Sequence, residues 1–554
     1  MSFKGSTLAL LLLCFFILSC GNDGNTAKKS ENPSASTNTA KTEDTPAPPP
    51  SPDLIEEAFS QSTDTASVGK VNLSDFPKLQ NYYEKRKNQP VWSSEKLRKE
   101  LVSNIKNIDK DGLFPSDYHL EYLQERSSTY SDLSLQERAI LDIVLSDAFF
   151  KVAGDLNHGK LDPEKIYKIW GTRKNEIDLP KLLNKAVSEE NVTAALDSAR
   201  PHQQLYRGLK KSLQDYEKLV ASEGEITHIP EGEMIRPGEE NARITSVAKR
   251  LEELGYLSEK AADSAGGRYS EEIQKAVRSY QQNYGLQVDG ILGKGTVANL
   301  NMSAKDRYNQ ILANLERWRW YPHDLGAQYI IVNIANYKLH VIKNGDTIST
   351  HKIIVGRPSM ETPVFSDKIQ YVVYNPTWTI PPTIKKQEVI PGASKDLAYL
   401  EKKKIDIYKN GEKINRKDWN PAEARNYTYR QGAGSSNPLG RVKIIYPNKY
   451  MIYLHDTPAR YLFKKDSRAE SHGCVRVENV LDLSRYLLSN RPEYNEATID
   501  TILSSGKTTQ IEVTQPVQVH HFYWTAWREN GKTRFTSDIY QLDPKLIKLL
   551  KPEN

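Results

Sequence analysis

The feature that most constrains this chain is a change of hydrophobic period near residue 328. Upstream, apolar residues recur at helical spacing, with Leu97, Leu101, Ile105 and Ile108 on one face. "SLQE" at 134–137 is a capping box that predicts a helix running toward Gly159. Downstream, "YIIVNIANYKLHVIKNGDTISTHKIIVG" alternates, with a hairpin expected at Asn344-Gly345. With 554 residues available, such a switch implies several bodies, helical first and mainly β afterwards.

Finer boundaries follow from punctuation. Residues 70–239 read as a helical scaffold without visible chemistry; His158 and the scattered carboxylates there read as surface groups. Residues 240–301 form a compact unit: Ile244, Val247, Ala248, Leu251 and Leu254 make an amphipathic helix stopped by Gly255. Ser270 caps a second helix carrying Ile273, Val277 and Tyr280, and a Gly-rich turn leads to a third. A connecting helix is expected over 302–327, then a β domain over 328–513 with a Lys-rich helical insertion at about 382–428. The stretch 514–554 returns to β character, with a second hairpin at Asn530-Gly531. "VKIIYPNKYMIYLHD" reads as one β stretch with Met451, Tyr453 and His455 on one face.

The first nineteen residues combine Lys4 with an apolar run from Leu8 to Leu18. That run is far short of the roughly 20 residues a membrane-spanning helix needs, so it reads as a secretory signal. "ILSC" before Gly21 resembles a bacterial lipoprotein lipobox, which implies cleavage before Cys20 and lipid on its thiol. Residues 20–69, rich in Ser, Thr, Asn and Pro, have no apolar period and read as a tether. Of the three cysteines, Cys14 would leave with the signal and Cys20 would be lipidated, so Cys474 has no disulfide partner.

Cys474 sits in "ESHGCVRVEN", a polar setting unlike that of a buried, inert thiol. Gly473 admits backbone geometries that point successive N–H groups at an oxyanion, and His472 and Arg476 bring polarity or positive charge. His455, at the end of a predicted strand, is the candidate base. Arg476 shares a face with Cys474 in an extended segment and serves either the loop, the thiol or a structural ion pair. A net charge of +6 is small for this length and does not point to nucleic acid. No HExxH, CxxC, P-loop or dinucleotide fingerprint is present, so neither a metal nor a cofactor is expected.

"YLHDTPARYLF" and "SRAESHGCVRVENVLDLSRYLL" resemble the L,D-transpeptidase catalytic motif, in which a histidine precedes Ser-His-Gly-Cys-x-Arg. "VGRPSMETPVF", "YNPTWTIPP", "NPLGRVKIIYPN" and "TAWRENGKTRF" extend the likeness to the large, multi-domain members that carry a capping insertion. "LEELGYL" and "AVRSYQQNYGLQVDGILGKGT" resemble the three-helix peptidoglycan-binding domain. One departure is "RQGAGSSNPLG", where a proline is expected near Ala433. The resemblance implies Cys474 as nucleophile, His455 as base, and backbone N–H groups of Gly473 and Cys474 as oxyanion hole. Ser471, His472 and Arg476 would orient the loop, while Tyr453 and Trp378 would line the donor pocket. The implied substrates are peptidoglycan stems: a tetrapeptide donor losing D-alanine, and an acceptor amine giving a 3→3 cross-link. The implied location is the cell envelope, anchored through Cys20 in a membrane leaflet and facing the periplasm. Two other readings stay open: an L,D-carboxypeptidase or stem-exchange enzyme, and a non-catalytic wall-anchoring lipoprotein.

Overall fold

The computed structural model describes residues 47–61 and 66–551. The signal, Cys20 and most of the expected tether lie outside the described residues. Where the tether was expected to continue, Pro52–Ser60 is a helix that buries Ile55 and Phe59, with Phe59 edge-on to Phe76 at 5.4 Å. The proline run hides this helix in the sequence, because Pro52 occupies the first helical turn, where its missing N–H costs nothing.

Leu97, Leu101, Ile105 and Ile108 are buried together, as their spacing predicts. The capping box is formed: the Glu137 N–H donates to Ser134 Oγ at 3.2 Å and the Glu137 carboxylate accepts the Ser134 N–H at 2.9 Å. The helix Leu135–His158 that it opens runs through the middle of the scaffold, so the reading of its polar groups as surface groups is wrong. Asp142 is buried and accepts N–H groups of Val91 and Trp92 at 2.9 and 2.8 Å and the Tyr83 hydroxyl at 2.7 Å. Asp147 accepts the Ser74 N–H at 2.8 Å. Half-buried His158 hydrogen-bonds the Gly159 carbonyl through Nδ1 at 3.1 Å. These groups satisfy loop backbone inside the scaffold, as buried polar groups must.

The next unit packs helices Arg243–Glu253, Glu271–Asn283 and Lys294–Leu300, plus a one-turn helix Glu259–Asp263, around Val247, Leu251, Ile273, Val277 and Leu292. Ser270 Oγ accepts the Ile273 N–H at 3.3 Å, the expected cap. The connecting helix Ala304–Trp320 is buried along most of its length, and its Arg317 pairs with Asp543.

Among the described residues, twelve strands form the main sheet. We label them β1 (Trp170–Gly171), β2 (Gln328–Asn333), β3 (Lys338–Lys343), β4 (Asp346–Gly356), β5 (Val364–Lys368), β6 (Tyr371–Tyr374), β7 (Val442–Ile445), β8 (Leu454–His455), β9 (Ala469–Ser471), β10 (Val475–Val477), β11 (Thr509–Glu512) and β12 (Gln518–Phe522). The order is β11-β6-β7-β8-β10-β4-β3-β2-β12-β5-β1, with β9 beside β4. Both expected hairpins form, their Asn-Gly pairs at positive φ (53° and 91° at 344–345, 48° and 74° at 530–531).

Two expectations need correction. The insertion is not purely helical. Short helical turns over 382–402 precede strands Ile405–Lys409, Glu412–Ile414 and Thr428–Gln431, the last of which pairs with Trp378–Thr379 to complete a separate four-stranded sheet. The missed signal is Asn410-Gly411, another turn with both residues at positive φ, masked by the surrounding lysines. The C-terminal stretch is not simply a packed β tail. Its β12 lies inside the main sheet between β2 and β5, and the chain ends in a helix, Asp543–Leu550.

Candidate active site

Three neighbouring strands set out the site. β7 pairs antiparallel with β8, placing Lys443 beside His455; β8 pairs parallel with β10, placing His455 beside Arg476. Because side chains alternate, Val442, Ile444, Leu454, Val475 and Val477 face the apolar core. The opposite face carries Lys443, His455 and Arg476 in one row, with Tyr453 and Cys474 one step along. The β stretch expected over 442–455 is interrupted. The Asn448 side chain accepts the N–H groups of Tyr450 and Ile452, each at 3.1 Å, and folds the intervening residues into a turn. Met451 therefore takes φ 56° and is exposed, not aligned with His455 as the alternation suggested. Its carbonyl accepts the Cys474 thiol, Sγ to O 3.7 Å.

The cysteine loop is held from within and behind. Ser471 Oγ donates to the Cys474 carbonyl at 2.6 Å and accepts the Gly473 N–H at 3.1 Å. Gly473 stands at φ 112°, a conformation that a side chain would strain. The Thr362 hydroxyl donates to the Gly473 carbonyl at 2.8 Å and accepts the Gly356 N–H at 2.9 Å. A Cβ on Gly356 would come within 2.1 Å of the Met360 carbonyl, so only glycine lets that turn close. The Tyr540 hydroxyl in turn donates to the Gly356 carbonyl at 2.7 Å and accepts the Thr362 N–H at 3.1 Å. These bonds correct one expectation: the Gly473 N–H is already committed to Ser471. The Cys474 N–H has no acceptor among the described residues and is the donor available to an oxyanion.

His455 is buried, and its Nδ1 lies 2.6 Å from the Asp456 carbonyl. A carbonyl only accepts, so the proton is on Nδ1 and Nε2 carries the free lone pair. Burial, the Arg476 charge and, more weakly, the Lys443 charge push the imidazole pKa down to about 3, against the Asp456 bond that raises it. Desolvation raises the Cys474 thiol above its ordinary range, opposed by the Tyr453 N–H and hydroxyl and by Lys443 and Arg476. At neutral pH the resting pair is thus neutral thiol and neutral imidazole.

Tyr453 and Trp378 meet at this point. Burial raises the Tyr453 hydroxyl pKa, with neighbouring Cys474 adding to the rise and neighbouring Trp378 opposing it. The Tyr453 and His455 rings lie 5.5 Å apart. Since Trp378 belongs to the four-stranded insertion sheet, the insertion borders Tyr453 beside the thiol. It also reaches the loop itself, with Glu388 Oε1 3.2 Å from His472 Nε2. Burial and Arg357 lower the His472 pKa, so this is a polar contact to a neutral ring and not an ion pair. Arg476 forms no ion pair among the described residues, which removes the structural-ion-pair reading. Ala433, where a proline was expected, lines a cleft of about 380 Å³ with Asp456 and Arg460. No group of three or more His, Cys, Asp or Glu side chains among the described residues could hold a metal ion.

Four contributors escaped the sequence reading. Lys443 had a local signal, a lone cation in the apolar "VKII" stretch. Thr362 lay inside a segment noted only for its likeness, while Glu388 and Tyr540 come from distant parts of the chain with no local mark.

Residues 327–515 match the family described as "L,D-transpeptidase catalytic domain". The chain carries an L,D-transpeptidase catalytic domain. Residues 77–213 match "Scaffold domain", and 240–300 match "Putative peptidoglycan binding domain". A Haemophilus influenzae protein named "Putative L,D-transpeptidase" is 33% identical over 312 residues, covering 54% of this chain and 63% of that protein. The Mycobacterium tuberculosis N-acetylmuramoyl-L-alanine amidase CwlM is 32% identical over 96 residues, 15% of this chain and 24% of its own length. An L,D-transpeptidase crystal structure from Stackebrandtia nassauensis aligns with 56% of this chain and all of its own, at 13% identity and a TM-score of 0.22. The chain is thus multi-domain: a helical N-terminal region, a helical unit matching the peptidoglycan-binding family and a mainly β domain matching the L,D-transpeptidase catalytic family.

Proposed function

We propose that this chain is an L,D-transpeptidase that forms 3→3 peptidoglycan cross-links through a thioester on Cys474. The observation that carries the reading is the tautomer of His455: Nδ1–H is tied to Asp456, leaving Nε2 as a base on the sheet face that presents the thiol. In the first step Cys474 Sγ attacks the amide carbonyl after the third residue of a tetrapeptide stem, and its proton passes to His455 Nε2. The Cys474 N–H donates to the oxyanion, the C–N bond breaks, and the proton returns to the departing D-alanine amine. A diaminopimelate side-chain amine on a second stem then displaces sulfur, restoring the thiol. The insertion, resting on His472 and Tyr453, favours an amine over water at the thioester.

Lipid on Cys20 would hold the catalyst at a membrane in the cell envelope, facing the periplasm; among the described residues no helix is long and apolar enough to cross a membrane. Intact-mass spectrometry of the protein with a tetrapeptide donor, with and without an amine acceptor, tests the reaction. A Cys474 adduct and an amine-linked product are expected. A shortened stem with no amine product would make the chain a carboxypeptidase, and no adduct at all would leave the non-catalytic anchor.

A further inference from the structure

The row Lys443–His455–Arg476 places two cations on either side of the base with nothing to neutralise them. Neither the Lys443 ammonium nor the Arg476 guanidinium has a carboxylate within 4 Å among the described residues. Arg476 Nε is buried without any hydrogen-bond partner. Lys443 is half-buried, with its ammonium 3.9 Å from the centre of the Tyr453 ring. The nearby acids are occupied elsewhere. Glu470 pairs with Lys465 at 2.7 Å, Glu388 holds His472, and the Asp456 carboxylate accepts the Arg441 N–H at 2.9 Å. Gly440 packs against that carboxylate so closely that a Cβ there would lie 2.4 Å from it, and Arg460 stands 3.8 Å from its other oxygen.

Cations drawn out of water without partners are costly, and a sheet face that holds two half-buried ones suits an anion supplied from outside. Neighbouring strands stand about 4.8 Å apart, so the bases of Lys443 and Arg476 are roughly 10 Å apart, with His455 between. Long, mobile Lys and Arg side chains can close that span on a carboxylate, the Arg fork as a bidentate donor and the Lys as a point charge. We propose that Lys443 and Arg476 form a carboxylate subsite that holds the free C-terminal carboxylate of the donor, one residue beyond the attacked carbonyl. This inference rests on the proposed reaction for the identity of its ligand, while the subsite itself follows from the row. It selects stems ending in a free acid immediately after the scissile bond, and it acts in acylation only, since the carboxylate departs with the leaving amino acid.

Two probes test the subsite on the full-length protein. The first compares acylation of Cys474 by a tetrapeptide donor with that by the same donor ending in a carboxamide. The wild type is expected to prefer the free acid by roughly 10- to 100-fold, the range of one or two charge-assisted contacts. Lys443→Met should collapse most of this preference through KM, and Lys443→Arg should restore it. The second probe needs no donor chemistry: the rate of alkylation at Cys474 by iodoacetate relative to iodoacetamide, read by peptide mass mapping. That ratio should fall about tenfold in Lys443→Met and further in Lys443→Met/Arg476→Gln. Unchanged ratios in both probes overturn the subsite. If no donor acylates the wild type but the alkylation ratio responds as expected, the proposed reaction fails and the subsite stands.

Discussion

The two faces of β7, β8 and β10 are made by alternating residues of the same short segments, yet they follow opposite rules. On the core face Val442, Ile444, Leu454, Val475 and Val477 are buried among apolar neighbours, and each is stabilised by leaving water. On the other face His455 is buried and Lys443, Arg476 and Cys474 are half-buried, and there withdrawal from water is unfavourable to every charged form. The core face accounts for the strands being where they are. The opposite face spends some of that stability on holding a neutral base and a neutral thiol among unpaired cations, and only chemistry explains the arrangement.

If the faces are separable, variants should dissociate activity from stability. Cys474→Ala should reduce acylation by at least roughly 10⁴-fold with no fall in Tm. A Tm drop of several degrees would show that the thiol also supports the core. His455→Gln should lower the acylation rate by roughly 10²–10⁴-fold, again at little cost in Tm, as expected for loss of a general base. Leu454→Ala should do the reverse. It should cost about 2–5 kcal/mol in denaturant unfolding while the folded fraction keeps acylating within a few-fold of wild type. Thr362→Val, behind the loop, should cost about 1 kcal/mol and slow acylation modestly; no effect on either would mean the Gly473 carbonyl needs no support.

The smallest expected effect is that of pH. With the His455 pKa near 3 and the thiol raised, both groups keep their charge state from about pH 5 to pH 8, so the acylation rate should be flat there. An inflection near 6.5 would show that His455 titrates as an ordinary imidazole. The linked stability effect has a definite sign. Because the folded pKa lies below the unfolded value near 6.5, the contribution of His455 is complete above 6.5 and is lost as pH falls toward 3.

Local chemistry was legible in the sequence wherever a few adjacent residues decide it. The Ser134 and Ser270 caps, the Asn344-Gly345 and Asn530-Gly531 turns and the helical faces of residues 97–108 and 244–251 all depend on neighbours within one turn or hairpin. The strain at Gly473 was legible for the same reason. What stayed hidden depends on contacts across long separations. Nothing near Thr362 announces that its hydroxyl meets Gly473, 111 residues on. The buried carboxylates of the scaffold looked like surface groups because their partners, Ser74 and Val91, lie far upstream. The insertion strands were obscured by "EKKK", whose charge outweighed the alternation of Ile405 and Ile407.

The position of β12 has a practical consequence. The catalytic-domain match ends at residue 515, yet strand 518–522 registers with β2 at five positions and with β5 at four. A fragment trimmed to the matched borders would carry an open seam between β2 and β5, with two rows of unsatisfied backbone groups inviting intermolecular pairing. It would also lose Tyr540, which pins the glycine turn behind Cys474. A truncated enzyme found inactive or insoluble would therefore say nothing about the wall-binding unit or the scaffold as such. For genetic shuffling as for bench work, the smallest transferable piece of this domain runs well past residue 515.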